Sequence, residues 1–175
     1  MAIPKRRARL PGTYFVTSRT WESRSLFTTM SACKTFVETL FHYRNQEAYK
    51  LHAFVLMPEH FHLLITPASN VTLERAVQYI KGGSAHRLGQ GLDLRFPLWQ
   101  RGFSDHRIRD NEDYLSHVRY IEQNPVKAQL VEHAGQYSWS SAAGEFPMDD
   151  IPQGLKPRMG NTLDRHGLSR ALTRD

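Results

Sequence analysis

The chain has 175 residues, of which 40% are hydrophobic and 11% aromatic, enough to build one domain with a core and too apolar for wholesale disorder. Lysine and arginine total 23 against 17 acidic residues, so a net charge of +6 points to a polyanionic partner, with nucleic acid ahead of membrane. Cys33 is the single cysteine, which excludes an internal disulfide and a cysteine-based zinc cluster, and no apolar stretch approaches the ~20 residues of a membrane span.

A basic arm of Lys5, Arg6, Arg7 and Arg9 opens the chain. Pro11, Gly12 and Thr13 follow where a signal peptide would place its apolar run, so a soluble, cytoplasmic protein is expected, lying beside the chromosome in a bacterium. Thr13 to Thr17 is a β-rich run and the first predicted strand. From Thr29 to Glu47, Met30, Cys33, Val37, Leu40 and Phe41 recur at helical spacing. Two apolar runs, Leu51 to Met57 and His60 to Thr66, flank Pro58-Glu59 and read as an antiparallel hairpin.

A second helix starts near Thr72, a candidate cap, and runs through Leu73, Val77 and Ile80, with Gly82 and Gly83 weakening or ending it. Gly89 to Gly102 reads as loop, with a short strand around Leu98 to Phe103. A third helix has Asn111 as its candidate N-cap, Glu112 and Asp113 in the first turn, and Pro125 marking its exit. Residues 1–145 are expected to form one domain, and the Pro- and Gly-containing stretch 146–175 a flexible tail. The element order predicts an α+β sandwich of the ferredoxin-like kind, also described as RRM-like, with an antiparallel sheet and helices on one side.

His60 and His62 flank Phe61 on a strand, so the two imidazoles share a face and Phe61 anchors the other. A pair at this spacing can bind one ion; the competing reading is two half-exposed histidines at a strand start. With oxygen donors completing the shell, Mg²⁺ or Mn²⁺ is favoured over zinc, and the imidazoles tilt the preference towards Mn²⁺. On the third helix, Tyr114, Val118 and Ile121 form a core stripe, and His117, Tyr120 and Asn124 a neighbouring one. A nucleophilic Tyr120 and a metal-binding Asn124 amide would address the same site. Their alternatives are a packing tyrosine and a helix stop before proline.

Met57-Pro58-Glu59-His60-Phe61-His62-Leu63-Leu64-Ile65 and Tyr120-Ile121-Glu122-Gln123-Asn124-Pro125-Val126-Lys127-Ala128 resemble the two signature segments of the single-tyrosine HUH transposases. The likeness is closer to the REP-associated tyrosine transposases, bacterial relatives of insertion-sequence transposases. It extends from about Arg6 to Trp139 and includes Leu10-Pro11-Gly12, Trp99 to Phe103, Asp105-His106 and Ile108-Arg109. The resemblance implies the HUH endonuclease fold, His60 and His62 as metal ligands, Tyr120 as nucleophile and Asn124 as a third ligand, where insertion-sequence relatives commonly carry Gln. It also implies a metal-dependent single-stranded DNA endonuclease and strand transferase that works through a 5′-phosphotyrosine intermediate. REP-like palindromes folded into hairpins are the implied substrate, and DNA transposition or recombination the implied process. A monomer is expected rather than a dimer sharing active sites.

Attack by a phenol conserves the phosphoester and needs no ATP, in keeping with Lys81-Gly82-Gly83-Ser84, which lacks the order of a phosphate-binding loop. The basic arm, with Lys81, Arg87, Arg95, Arg101, Arg107 and Arg109, can track phosphates, and Phe96, Trp99 and Phe103 can stack unpaired bases. The alternative makes Trp99 and Phe103 core residues and the arginines a solvated surface. The competing functions are a non-catalytic binder of single-stranded nucleic acid and a metal-dependent regulator. A phosphoesterase with paired His-x-Ser/Thr motifs is excluded, since no histidine has Ser or Thr two residues on.

Overall fold

The computed structural model describes residues 10–91, 94, 96–152 and 155. The arm residues Lys5, Arg6, Arg7 and Arg9, and Arg95, lie outside the described residues. Strand β1 (Tyr14–Arg19) is followed by helix α1 (Met30–Asn45), the hairpin β2 (Tyr49–Leu56) and β3 (His60–Pro67), helix α2 (Leu73–Gly91), strand β4 (Ser104–Arg107) and helix α3 (Asn111–Lys127). The strands form one antiparallel sheet in the order β2-β3-β1-β4, the ferredoxin-like arrangement. This is the expected α+β class.

Alternation along the strands sorts the side chains into two layers. Val16, Phe61, Leu63 and Ile65 point to one face and pack with Phe36, Leu40, Val77 and Ile80 of α1 and α2. Ala53, Val55 and Leu64 point to the other, where Tyr114 and Ile121 of α3 cover them. The expectation of helices on one side therefore holds for α1 and α2, while α3 lies on the opposite face. The Tyr114–Ile121 stripe finds its apolar surface in Ala53, Val55 and Leu64.

Three predicted boundaries move. Helix α2 continues through Gly82 and Gly83, and the missing side chain of Gly83 makes room for α1: a Cβ there would lie 2.7 Å from a ring carbon of Tyr43. Thr72 caps this helix as expected, accepting from the Arg75 amide at 3.2 Å. The fourth strand is Ser104–Arg107 and not Leu98 to Phe103; Trp99 makes only an isolated bridge to Thr20. Asp110, not Asn111, caps α3, its carboxylate accepting from the Asp113 amide at 2.9 Å.

Pro125 lies inside α3 and does not end it. A proline in the last turn forfeits one amide bond, and the helix closes beyond it through Ala128 N–H to Asn124 O at 3.0 Å and Leu130 N–H to Pro125 O at 2.9 Å. Asn124 is thus an interior helical residue, and its reading as a helix stop is corrected. The packed domain also runs past residue 145. Phe146 stacks on Phe41, and Asp149 pairs with Arg44 at 2.8 Å while accepting from the Leu51 amide at 2.7 Å.

Candidate active site

The hairpin turn places His60 at the start of β3, with the Met57 amide donating to His60 O at 2.8 Å. His60 and His62 are both buried beneath α3, 8% and 5% exposed. Their Nε2 atoms converge to 3.1 Å, and each Nδ1 has its own oxygen partner. Glu59 Oε1 lies 2.8 Å from Nδ1 of His60, and Thr17 Oγ1 lies 2.7 Å from Nδ1 of His62. An ionised carboxylate only accepts, so Nδ1 of His60 carries a proton and donates it to Glu59.

The rest of the chain of protons follows. With His60 neutral, His62 donates Nε2–H to His60 and the Thr17 hydroxyl donates to Nδ1 of His62. An ion held by both Nε2 atoms would take the place of that shared proton, and Thr17 would turn from donor to acceptor. Outer oxygens that fix the tautomers of ligating imidazoles in this way are the usual support of a histidine metal site, so the residues fit a divalent ion. Burial, with the charges of His60 and Arg19 behind it, pushes His62 down to about 3, so its ring is neutral at pH 7 and able to ligate.

Tyr120 stands over this pair. Its ring meets His62 edge-on at 5.2 Å and Phe15 at 5.6 Å, and Phe15 in turn stacks on His62 at 5.3 Å. The other side of the ring is open: Tyr120 is 40% exposed and lines a groove of ≈ 410 Å³ with Arg119, Gln123 and Lys127. Lys127 Nζ lies 5.0 Å from the ring centroid. Asn124 is half-buried one helical turn after Tyr120, on the same side of α3.

The structure separates the proposed DNA-binding residues. Arg101 and Arg107 are exposed, Arg87 is half-buried, and Arg107 also donates to Pro11 O at 3.0 Å. Arg109 pairs with Asp113 at 3.3 Å. Lys81 is committed inward, its ammonium donating to Gln100 O at 2.7 Å and Gly102 O at 2.5 Å, and burial pushes it down to about 8. Trp99 is corrected from base-stacking to core: it packs on Phe27, Phe36 and Phe61 and donates Nε1–H to Ser84 at 3.2 Å, leaving no ring face for a base. Phe96 is exposed, and Phe103 packs against the core.

Sequence reasoning missed several neighbours. Thr17 and Arg19 share the histidine face of β1, opposite His62 and His60 in register, a relation visible only once strands are paired. His106, Asp113 and His117 bring three donor atoms within 4.8 Å of one another, a group that could hold an ion.

Residues 13–124 match the model of the family described as "Transposase IS200 like". The chain belongs to this family. It is accordingly an enzyme of the tyrosine transposase class. It is 28% identical over 144 residues to the REP-associated tyrosine transposase of Escherichia coli (strain K12), covering 79% of this chain and 84% of that protein. The structure of a REP-associated tyrosine transposase bound to a REP hairpin matches with a TM-score of 0.66 at 27% identity, over 93% of this chain and 99% of the other. A crystal structure from Deinococcus radiodurans R1, 19% identical with a TM-score of 0.50 over 70% of this chain and 97% of that one, shares the fold. Among the described residues, no helix is long and apolar enough to cross a membrane.

Proposed function

We propose that this transposase is a metal-dependent single-stranded DNA endonuclease and strand transferase that acts on hairpin-forming repeats through a 5′-phosphotyrosine on Tyr120. The observation that carries the reading is the edge-on meeting of Tyr120 and His62 at 5.2 Å, with the two histidine Nε2 atoms converging beneath it.

His60 and His62 would hold the ion, Mg²⁺ or Mn²⁺, with Asn124 as a third ligand from α3. When bound, such an ion polarises the scissile phosphate and offsets its developing charge. The chain's own residues do the rest. Phe15 and His62 flank the Tyr120 ring and restrict it to the groove mouth. Tyr120 Oη loses its proton and forms a bond to phosphorus; the P–O3′ bond breaks, and the 3′ oxygen takes up a proton. One phosphoester is exchanged for another, so a second 3′ hydroxyl can reverse the step and join a new strand. Arg119 and Lys127 beside the groove offset the charge of the flanking phosphates.

The structural relative bound to a REP hairpin supports a hairpin with a short single-stranded flank as the substrate, and the contact of Tyr120 with His62 inside one chain supports a monomer. Incubation with a labelled hairpin in Mn²⁺, Mg²⁺ or EDTA, followed by a denaturing gel, tests the reading. A covalent adduct formed with metal and absent in EDTA is expected. Tight binding without an adduct under every metal condition would instead identify a non-catalytic binder.

A further inference from the structure

Strand β4 is a four-residue edge strand, and α3 begins within a few residues of its end. Asp113, in the first turn of α3, joins the two. Its carboxylate, 9% exposed, lies 2.9 and 3.1 Å from Nε2 of His106 on β4. It also lies 3.1 Å from Nδ1 of His117, one turn along α3, and accepts from the Arg109 amide at 3.0 Å. His117 Nδ1 sits 2.8 Å from the Asp113 carbonyl, which can only accept, so that nitrogen bears the proton. The rings of His106 and His117 stack at 4.8 Å and 15°.

The contacts run on to the proposed site. His117 rests on Phe15 at 4.8 Å, and Phe15 touches both His62 and Tyr120. Phe15 is also the residue opposite His106 in the β1–β4 register. An unbroken path of packed groups therefore leads from the sheet edge to the phenol.

An ion shared by His106 and His117 is the competing use of this cluster. Nitrogen lone pairs lie in the ring planes, and two rings stacked nearly parallel direct them side by side instead of onto one point. Nδ1 of His117 is also already spent as a donor. Hydrogen bonding to Asp113 already occupies Nε2 of His106 and Nδ1 of His117.

We propose that His106, Asp113 and His117 form a hydrogen-bonded clamp that pins the start of α3 to β4 and so fixes Tyr120 over the histidine pair. These are positioning residues, and the inference rests on the reading of Tyr120 as nucleophile. Misplacing a reacting group by about 1 Å can cost on the order of a hundredfold in rate. The clamp acts on the geometry of attack more than on hairpin affinity.

His106→Ala and His106→Gln test it, because the half-exposed His106 can be removed without emptying the core, and the Gln amide can restore a donor to Asp113. The rate of adduct formation at saturating hairpin and Mn²⁺, the hairpin Kd, and the hydrogen exchange of α3 amides would be measured for each. His106→Ala is expected to slow the adduct about tenfold to a hundredfold with Kd within about twofold, and to speed exchange across Tyr114 to Val118. His106→Gln is expected to recover most of both. An unchanged adduct rate, a parallel loss of Kd, or no recovery with Gln would overturn the clamp.

A wild-type protein that forms no adduct would remove the proposed chemistry, and the exchange measurement would still decide the clamp. Titration of a His60→Ala/His62→Ala variant with Zn²⁺ and Mn²⁺ addresses the competing use. Stoichiometric binding abolished by His106→Ala would overturn the clamp in favour of an ion site, and no binding supports it.

Discussion

His62 and Tyr120 face each other within a single chain, their ring centroids 5.2 Å apart and their planes at 74°. A strand residue and a helix residue far apart in sequence are thus brought into ring contact, the juxtaposition on which the proposed chemistry rests.

That relationship predicts the outcome of a mixing experiment. His62→Ala and Tyr120→Phe proteins, each inactive alone, should remain inactive when combined in equal amounts with hairpin DNA and Mn²⁺. Recovery of about a quarter or more of the wild-type adduct, the order expected if random dimers exchanged their helices, would show a site built between subunits.

Thr17 should matter almost as much as the histidines it supports. Thr17→Val keeps the shape of the side chain and removes the oxygen that lies 2.7 Å from Nδ1 of His62. Outer partners of this kind are worth about tenfold to a hundredfold in metal affinity or activity. The Mn²⁺ concentration giving half-maximal adduct should rise accordingly, with the melting temperature little changed. An unaltered Mn²⁺ response would show that Thr17 does not orient the ligand.

Two basic residues that look alike in sequence should behave differently. Lys81 ties α2 to the segment before β4 through two carbonyls, whereas Arg101 is exposed. Arg101→Ala should lower the salt dependence of hairpin binding by about one phosphate contact without changing stability. Lys81→Met should lower the melting temperature and leave the salt slope intact. Binding isotherms at several salt concentrations, with parallel melts, distinguish the two.

Acid should loosen the Asp113 cluster. Burial acts to raise this carboxyl, but hydrogen bonds from His106 and from Arg109 outweigh it and hold it at about 2. A carboxyl lowered from its unfolded value of about 3.9 contributes stability that is complete above that value and is lost as pH falls towards 2. Urea midpoints measured from pH 6 down to about 2 should therefore fall less steeply in Asp113→Asn than in wild type. Some slope will remain, because Asp149 is lowered too by its hydrogen bond to Arg44 in spite of burial. Parallel curves for the two proteins would contradict the assigned role of Asp113.

The histidine pair, the tyrosine stripe and the order of elements were legible because each rests on local periodicity. His60 and His62 share a face by strand alternation, and Tyr114, Val118 and Ile121 share one by helical spacing. Pairing between strands was not legible, which is why Thr17, Arg19 and the His106–Asp113 contact escaped notice. Trp99 was ambiguous for a related reason: nearby arginines suggest a nucleic-acid surface and its aromatic character a core residue, and the paired fold places the indole in the core. Pro125 misled because proline usually marks a helix exit, whereas here the helix runs to Lys127 and closes beyond the proline through Ala128 N–H to Asn124 O.

The most direct test of the account is to digest the DNA–protein adduct and locate the nucleotide by mass spectrometry. A 5′-phosphonucleotide on the phenol oxygen of Tyr120 is expected, and no adduct from Tyr120→Phe under the same conditions. A nucleotide attached to any other side chain, or an undiminished adduct from the phenylalanine variant, would contradict it.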